Sequence, residues 1–256
     1  MARAEIDGVE LTLEHQIDAW TLAANLTWQD ARNADTGNVN TGTLEAAMAS
    51  KPASFRNVDT AADDTVRALD EGRIDAFFNN AGIAQTRPFL SITEEDWRRV
   101  MDVNGLGVLI GMQEAVKQFQ SQGKDATGFG GRIVNTASIA GKQGYEPLAH
   151  YCASKFGVVA LTQAAARAFG KDGISANAIC PGVVATDMWK VIDKGFKDEG
   201  LTARDGEAFD GFAAGILLGR ASVSEDLAGV AVFLASPASD YMTGQSLVVD
   251  GGMVFV

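Results

Sequence analysis

Cysteine is nearly missing from this chain: two occur among 256 residues, Cys152 and Cys180, with no CxxC spacing. That argues against a disulfide framework or a cysteine-held zinc, leaves both thiols as structural groups, and makes no metal site the expectation. Basic residues are short as well, 21 Lys and Arg against 33 Asp and Glu, for a formal net charge of -12 and a pI near 4.6. Such a balance argues against non-specific nucleic-acid binding and against a polybasic membrane contact, and favours solubility. No apolar run approaches the roughly 18 residues that span a bilayer, and the start MARAEIDGVE has no apolar signal-peptide core, so a cytoplasmic location without membrane contact is expected. Internal repeats and low-complexity linkers are absent too. With 46% hydrophobic content, the length suits one α/β domain with a large core.

From about residue 41 onward, helical and strand patterns alternate. TGTLEAAMASK and DDTVRALDEG read as helices, and ASFRNVD and IDAFFNN as strands. A long helical stretch starts at Thr93, where T-E-E-D places carboxylates in the first turn and the helix dipole favours them. After the polar loop SQGKDATGFGG come the strand RIVNTAS, the helix YCASKFGVVALTQAAARAFG and the strand ISANAIC. A lid-like region at about 187–218 precedes the helix SEDLAGVAVFLAS and the strand SLVVDGG. Short apolar strands separated by helices predict a Rossmann-like, doubly wound parallel sheet covered on both faces.

Ligands of such sheets bind at the carboxyl ends of the strands. The residues there are Asp59, Asn79-Asn80-Ala81-Gly82, Ser138 and Pro181-Gly182. Each alone fits an ordinary cap or turn; together they define one edge of a sheet. Tyr151 and Lys155 stand four apart and share a helix face, so the ammonium is expected to favour the ionised phenol and lower a pKa normally near 10. The phenol could then serve as an acid/base, with the Ser138 hydroxyl holding the reacting oxygen. A lone YxxxK carries little weight, and its value depends on its company.

That company is Asn79 to Gly82, Asn104, Ser138, Tyr151-Cys152-Ala153-Ser154-Lys155, and Pro181-Gly182 followed by Thr186. In order and spacing, over about residues 41–256, these resemble the short-chain dehydrogenase/reductases. The resemblance implies a nicotinamide cofactor, NAD with NADP as the alternative, lying along the strand ends. It implies Tyr151 as acid/base, Lys155 as its pKa partner and ribose ligand, Ser138 as substrate-orienting group, and Asn104 as support for a water-linked proton relay. Asp59, Thr60, Asn80, Ala81 and Gly82 would line the adenosine side, and Pro181, Gly182, Val184 and Thr186 the nicotinamide side. The tail SPASDYMTGQSLVVDGGMVF is most similar to acetoin reductases, also called 2,3-butanediol dehydrogenases, and next to polyol dehydrogenases. Ile139, Tyr145 and Trp189 would wall a small substrate pocket, the alternatives being core packing for Ile139 and a surface ring for Tyr145. Gln143 or His150 could add a polar contact. A homotetramer is also implied: the helices near Thr93 and Tyr151 carry apolar residues on several faces, including Val108, Leu109, Val158, Val159 and Leu161, more than one sheet-facing stripe requires, and their outer faces are expected to be covered by another subunit, together with the tail Met253 to Val256.

Two features depart from the family pattern. No TGxxxGxG loop follows a first strand, the early glycines being Gly8, Gly37 and Gly42, and the interval from Asp59 to Asn79 is short. In that place stands VELTLEHQIDAWTLAANLTWQDA, residues 9–31, whose apolar residues alternate as in a β-hairpin. It resembles a barrel hairpin of TonB-dependent receptors, and residues 1 to about 40 read as foreign sequence replacing the first βαβ unit. The expectation is that tertiary context overrides the local pattern, with Val9, Leu11 and Leu13 entering the parallel sheet and Trp20 to Trp28 packing over one face. Two functions stay open: an active oxidoreductase, or a catalytically silent binding protein that has lost its dinucleotide.

Overall fold

The computed structural model describes residues 74–256 together with four strands at 4–7, 10–17, 20–27 and 30–33. Those four are β1 (Ala4–Asp7), β2 (Glu10–Ile17), β3 (Trp20–Thr27) and β4 (Asp30–Asn33). β2 pairs antiparallel with β3 from Glu10↔Thr27 to Ile17↔Trp20, and β1 pairs with β4 from Ala4↔Asn33 to Asp7↔Asp30. The alternation of the opening stretch is therefore realised as a hairpin. The expected entry of Leu11 and Leu13 into the parallel sheet does not occur: none of the four strands joins it. Two eight-residue segments with almost nothing between them close a very short loop, so their pairing costs little chain entropy compared with a distant parallel partner. The sequence patterns over 41–73, including Asp59 and Thr60, lie outside the described residues.

The main sheet has the order β5-β6-β7-β8, all parallel: β5 (Ala76–Asn79), β6 (Gly131–Thr136), β7 (Ile174–Pro181) and β8 (Ser246–Val249). Each coincides with a strand legible in the sequence. α1 (Glu94–Met101) starts at Thr93 with a full capping box: Thr93 Oγ1 accepts from Asp96 N, and Asp96 Oδ2 accepts from Thr93 N, each at 3.1 Å. It passes through a π-helical turn, Asp102–Leu106, into α2 (Gly107–Gln122). α3 (Ala149–Phe169) carries the Tyr-Lys pair, α4 (Asp187–Asp198) and α5 (Glu207–Ala213) form the lid-like region, and α6 (Glu225–Ala235) precedes β8.

One face of the sheet packs Val108, Met112 and Phe119 of α2 and Val158 of α3 onto Ile133 and Ile174. The other packs Leu234 of α6 onto Val134 and Ile179. Covering both faces is what the short apolar strands require. Apolar residues do occupy more than one face of these helices. Val108 and Val158 are buried in this core, with Val159 and Leu161 packed against it, while Leu106, Ile110 and Phe156 are the exposed apolar residues of the same helices. In the tail, Val254 is buried and Phe255 and Val256 are exposed. Apolar residues on several faces of a helix do not reveal which face meets the sheet.

Candidate active site

The carboxyl ends of β5, β6 and β7 open into one cavity of about 210 Å³. Asn80 and Gly82 follow β5; Thr136 ends β6 and Ser138 stands two residues beyond it; Pro181 ends β7, with Gly182, Val184 and Thr186 after it. Tyr151 and Lys155 reach in from the first turns of α3, and Ile139, Tyr145 and Trp189 complete the expected set. Of the residues singled out in the sequence, Asn79, Ala81 and Asn104 do not line this cavity, Asn79 donating instead to Asn135 Oδ1 in the interior. Gln143 and His150 do not line it either.

Ser138 caps a 3-10 turn, Ile139–Gly141, and its hydroxyl accepts from Ala140 N at 3.1 Å. It also makes a hydrogen bond with Tyr151, so the two hydroxyls stand together at the cavity wall. Burial nevertheless dominates the phenol, whose pKa is pushed up to about 12 against the pull of that bond. The expected lowering by Lys155 is thereby corrected. The Lys155 ammonium is 5.8 Å from the centroid of the Tyr151 ring and donates to the Thr136 carbonyl at 2.9 Å instead of to the phenol. Burial brings the lysine itself down to about 8.

Asn104 sits fully buried in the π-helical turn. Its Oδ1 accepts from Ile83 N at 2.8 Å, and its Nδ2 donates to Ile83 O and to Ser154 Oγ, each at 2.9 Å. The side chain thus clamps the chain just after Gly82 to α3, one residue before Lys155. A Cβ on Gly82 would stand 3.3 Å from both Asn104 Oδ1 and Lys155 Nζ, so the absence of a side chain lets this backbone lie close beside the ammonium. A π turn at such a position is a frequent mark of function.

The remaining wall is mostly apolar, with Leu148, Met188, Ile192, Phe212 and Leu227, and carries the polar side chains of Asp187 and Ser224. Sequence reasoning missed Phe212, whose ring lies 5.2 Å from Trp189 and 5.9 Å from Tyr145. Its spacing of three from Phe209 on α5 was the available signal, since such a pair shares one face of a short helix. Burial raises the pKa of Tyr145.

A family model described as enoyl-(acyl carrier protein) reductase matches residues 19–254, beginning inside the atypical opening segment. The chain is 44% identical over 200 residues to L-2,3-butanediol dehydrogenase of Corynebacterium glutamicum, covering 78% of this chain and 74% of the relative. It is 44% identical over 193 residues to galactitol 2-dehydrogenase of Agrobacterium fabrum, covering 74% and 73%. Among solved structures, gluconate 5-dehydrogenase of Burkholderia cenocepacia in complex with NADP and tartrate superposes with a TM-score of 0.63 at 31% identity, covering 75% of this chain and 71% of that one.

Proposed function

Because the chain belongs to the short-chain dehydrogenase/reductase family, we infer that it transfers a hydride between a nicotinamide cofactor and a small alcohol or ketone, with diacetyl, acetoin and 2,3-butanediol as preferred substrates. The observation that carries this reading is the convergence of Ser138, Tyr151 and Lys155 on one small, mostly apolar cavity at the ends of parallel strands. The residues fit the nicotinamide half of the cofactor, Pro181, Gly182, Val184 and Thr186 lining the same cavity as Tyr151 and Lys155, while the bare backbone of Gly82 leaves room beside the ammonium. When bound, the cofactor supplies or accepts the hydride. Tyr151 holds a proton at its hydroxyl oxygen at neutral pH and gives it to the carbonyl oxygen during reduction. Ser138, bonded to that phenol, holds the same oxygen, and Lys155 offers its ammonium to the ribose hydroxyls. Asp59, Thr60, Asn80, Ala81 and Gly82 are assigned to the adenosine side.

The substrate wall favours a four-carbon diol or dione over a sugar alcohol. Each hydroxyl of a long polyol must exchange water for a new partner, and Ile139, Leu148, Met188, Trp189, Ile192 and Phe212 supply few. The galactitol relative supports the polyol reading as the alternative. Comparing rates with diacetyl, 2,3-butanediol, galactitol and an enoyl thioester decides among them, and faster turnover of galactitol would reverse the choice. Fluorescence titration with NADH and NADPH measures cofactor selection, with NADH expected to bind more tightly.

The hairpin at the start carries a second prediction. With no glycine turn to meet the pyrophosphate, NADH binding is expected to be weaker than micromolar. Grafting a TGxxxGxG strand–turn–helix unit over residues 1–40 should raise turnover at least about tenfold, or about 1.4 kcal/mol. Micromolar NADH affinity in the unaltered chain would overturn this account.

We also propose a homotetramer, in which a neighbouring subunit covers the exposed Leu106, Ile110 and Phe156. Light scattering at micromolar concentration tests it, a monomeric mass being the contrary result.

A further inference from the structure

The substrate-side wall of the cavity is carried by α4 and α5. α4 turns Met188, Trp189 and Ile192 toward the cavity. Its other face carries Lys190, Lys194 and Lys197 along a second, wider cleft of about 710 Å³. α5 travels with α4, because the buried Asp193 carboxylate accepts from Gly206 N at 2.5 Å and from Phe209 N at 3.1 Å. The edge-on contact of Trp189 with Phe209 adds to that union. Met188, Trp189, Ile192 and Phe196 pack the pair against Ala84, Val100, Leu148 and Cys152, an apolar contact that is non-directional.

Directional ties come from the segment after β5. Thr86 Oγ1 donates to Ile192 O at 3.1 Å, and the approach is so close that a Cβ on Gly195 would stand 2.7 Å from Thr86 Cβ. Next along the chain, Arg87 Nη1 bonds Glu199 Oε1 at 2.5 Å, where α4 ends, and Arg87 Nε lies 3.6 Å from Asp96 Oδ2 on α1. Asp96 is itself immobilised by the capping box of α1 and by Gln85 Nε2 at 2.6 Å. Arg87 N donates to Pro147 O at 2.9 Å, which ties the same residue to the segment leading into α3. Arg87 does not line the cavity.

We propose that Arg87 is a positioning residue for substrate: by clamping Glu199 of the lid to Asp96 of the rigid body, it sets where Met188, Trp189 and Ile192 stand over the cavity. The kinetic expression of this role rests on the oxidoreductase reading, whereas its structural expression does not.

The test uses Arg87→Ala and Glu199→Gln in the full chain, with folding verified by circular dichroism. Both variants should raise KM for diacetyl about fivefold, the scale of one partly exposed ion pair, with kcat within about twofold. Tryptic cleavage at Lys190, Lys194, Lys197 and Arg204 in the substrate-free protein should accelerate to a similar degree. Arg87→Lys, which keeps the charge without the fork, should recover part of both effects. Unchanged KM and unchanged cleavage in the folded variants would overturn the proposal, as would a fall in kcat at constant KM. If no alcohol or ketone is turned over, the oxidoreductase reading fails and the cleavage rates alone decide the role of Arg87.

Discussion

Replacing Tyr151 with phenylalanine is expected to cost turnover about two to four orders of magnitude while leaving NADH binding close to that of the parent. Only the hydroxyl is removed, and that hydroxyl is the proton donor bonded to Ser138. With a pKa near 12 the phenol is protonated across the neutral range, so the reductive rate should be flat from about pH 6 to 9 as far as this group is concerned. Oxidation needs the phenolate and should still be climbing at the alkaline end. A Phe variant with near-normal turnover would remove Tyr151 from the mechanism. A bound cofactor that brought further positive charge to the phenol would appear as a lower apparent pKa in the oxidative profile.

Lys155→Met should also abolish useful turnover, yet it is expected to make the folded protein more stable at pH 7. Burial lowers this lysine to about 8, against an ordinary 10.5, so at neutral pH the fold holds a charge it would rather release. Below about pH 8 both folded and unfolded forms are charged and the full penalty applies. Between about 8 and 10.5 the unfolded chain binds the extra proton, so stability conferred through this group rises with pH. The wild type should therefore close on the methionine variant across that window. Denaturant titrations at pH 7 and pH 9.5 test this, with an expected difference at pH 7 of about 1 to 3 kcal/mol, the lost bond to Thr136 O offsetting part of the gain. A variant less stable than the parent at pH 7 would show that the bond outweighs the burial.

Much of this site was legible because periodicity and strand ends are written in residue order. Ser138, Tyr151, Lys155 and the Pro181-to-Thr186 run meet in one cavity as their spacing suggests. Spacing places Lys155 on the same face as Tyr151 without saying where its ammonium points. That was decided by the Thr136 carbonyl, which belongs to a strand 19 residues away. Phe212 escaped notice because its role depends on α5 folding back over Trp189, a contact held by the buried Asp193 carboxylate. At the other end, the hairpin over β2 and β3 was legible from alternation alone, and the expectation that distant strands would recruit it gave too little weight to the ease of local pairing.

The π-helical turn at Asp102–Leu106 carries one residue more than the helix needs to reach from α1 to α2. Gly107 N reaches back five residues to Asp102 O, so that extra residue is held in a single wide turn. Because five residues of such a turn cover about the rotation of four α-helical ones, deleting one would let α1 run straight into α2 with the facing of α2 nearly unchanged. Val108, Met112 and Phe119 would stay on the sheet, while Asn104 would lose Ile83 and Ser154. The surplus residue therefore serves the clamp behind the site and leaves the packing of the helix untouched.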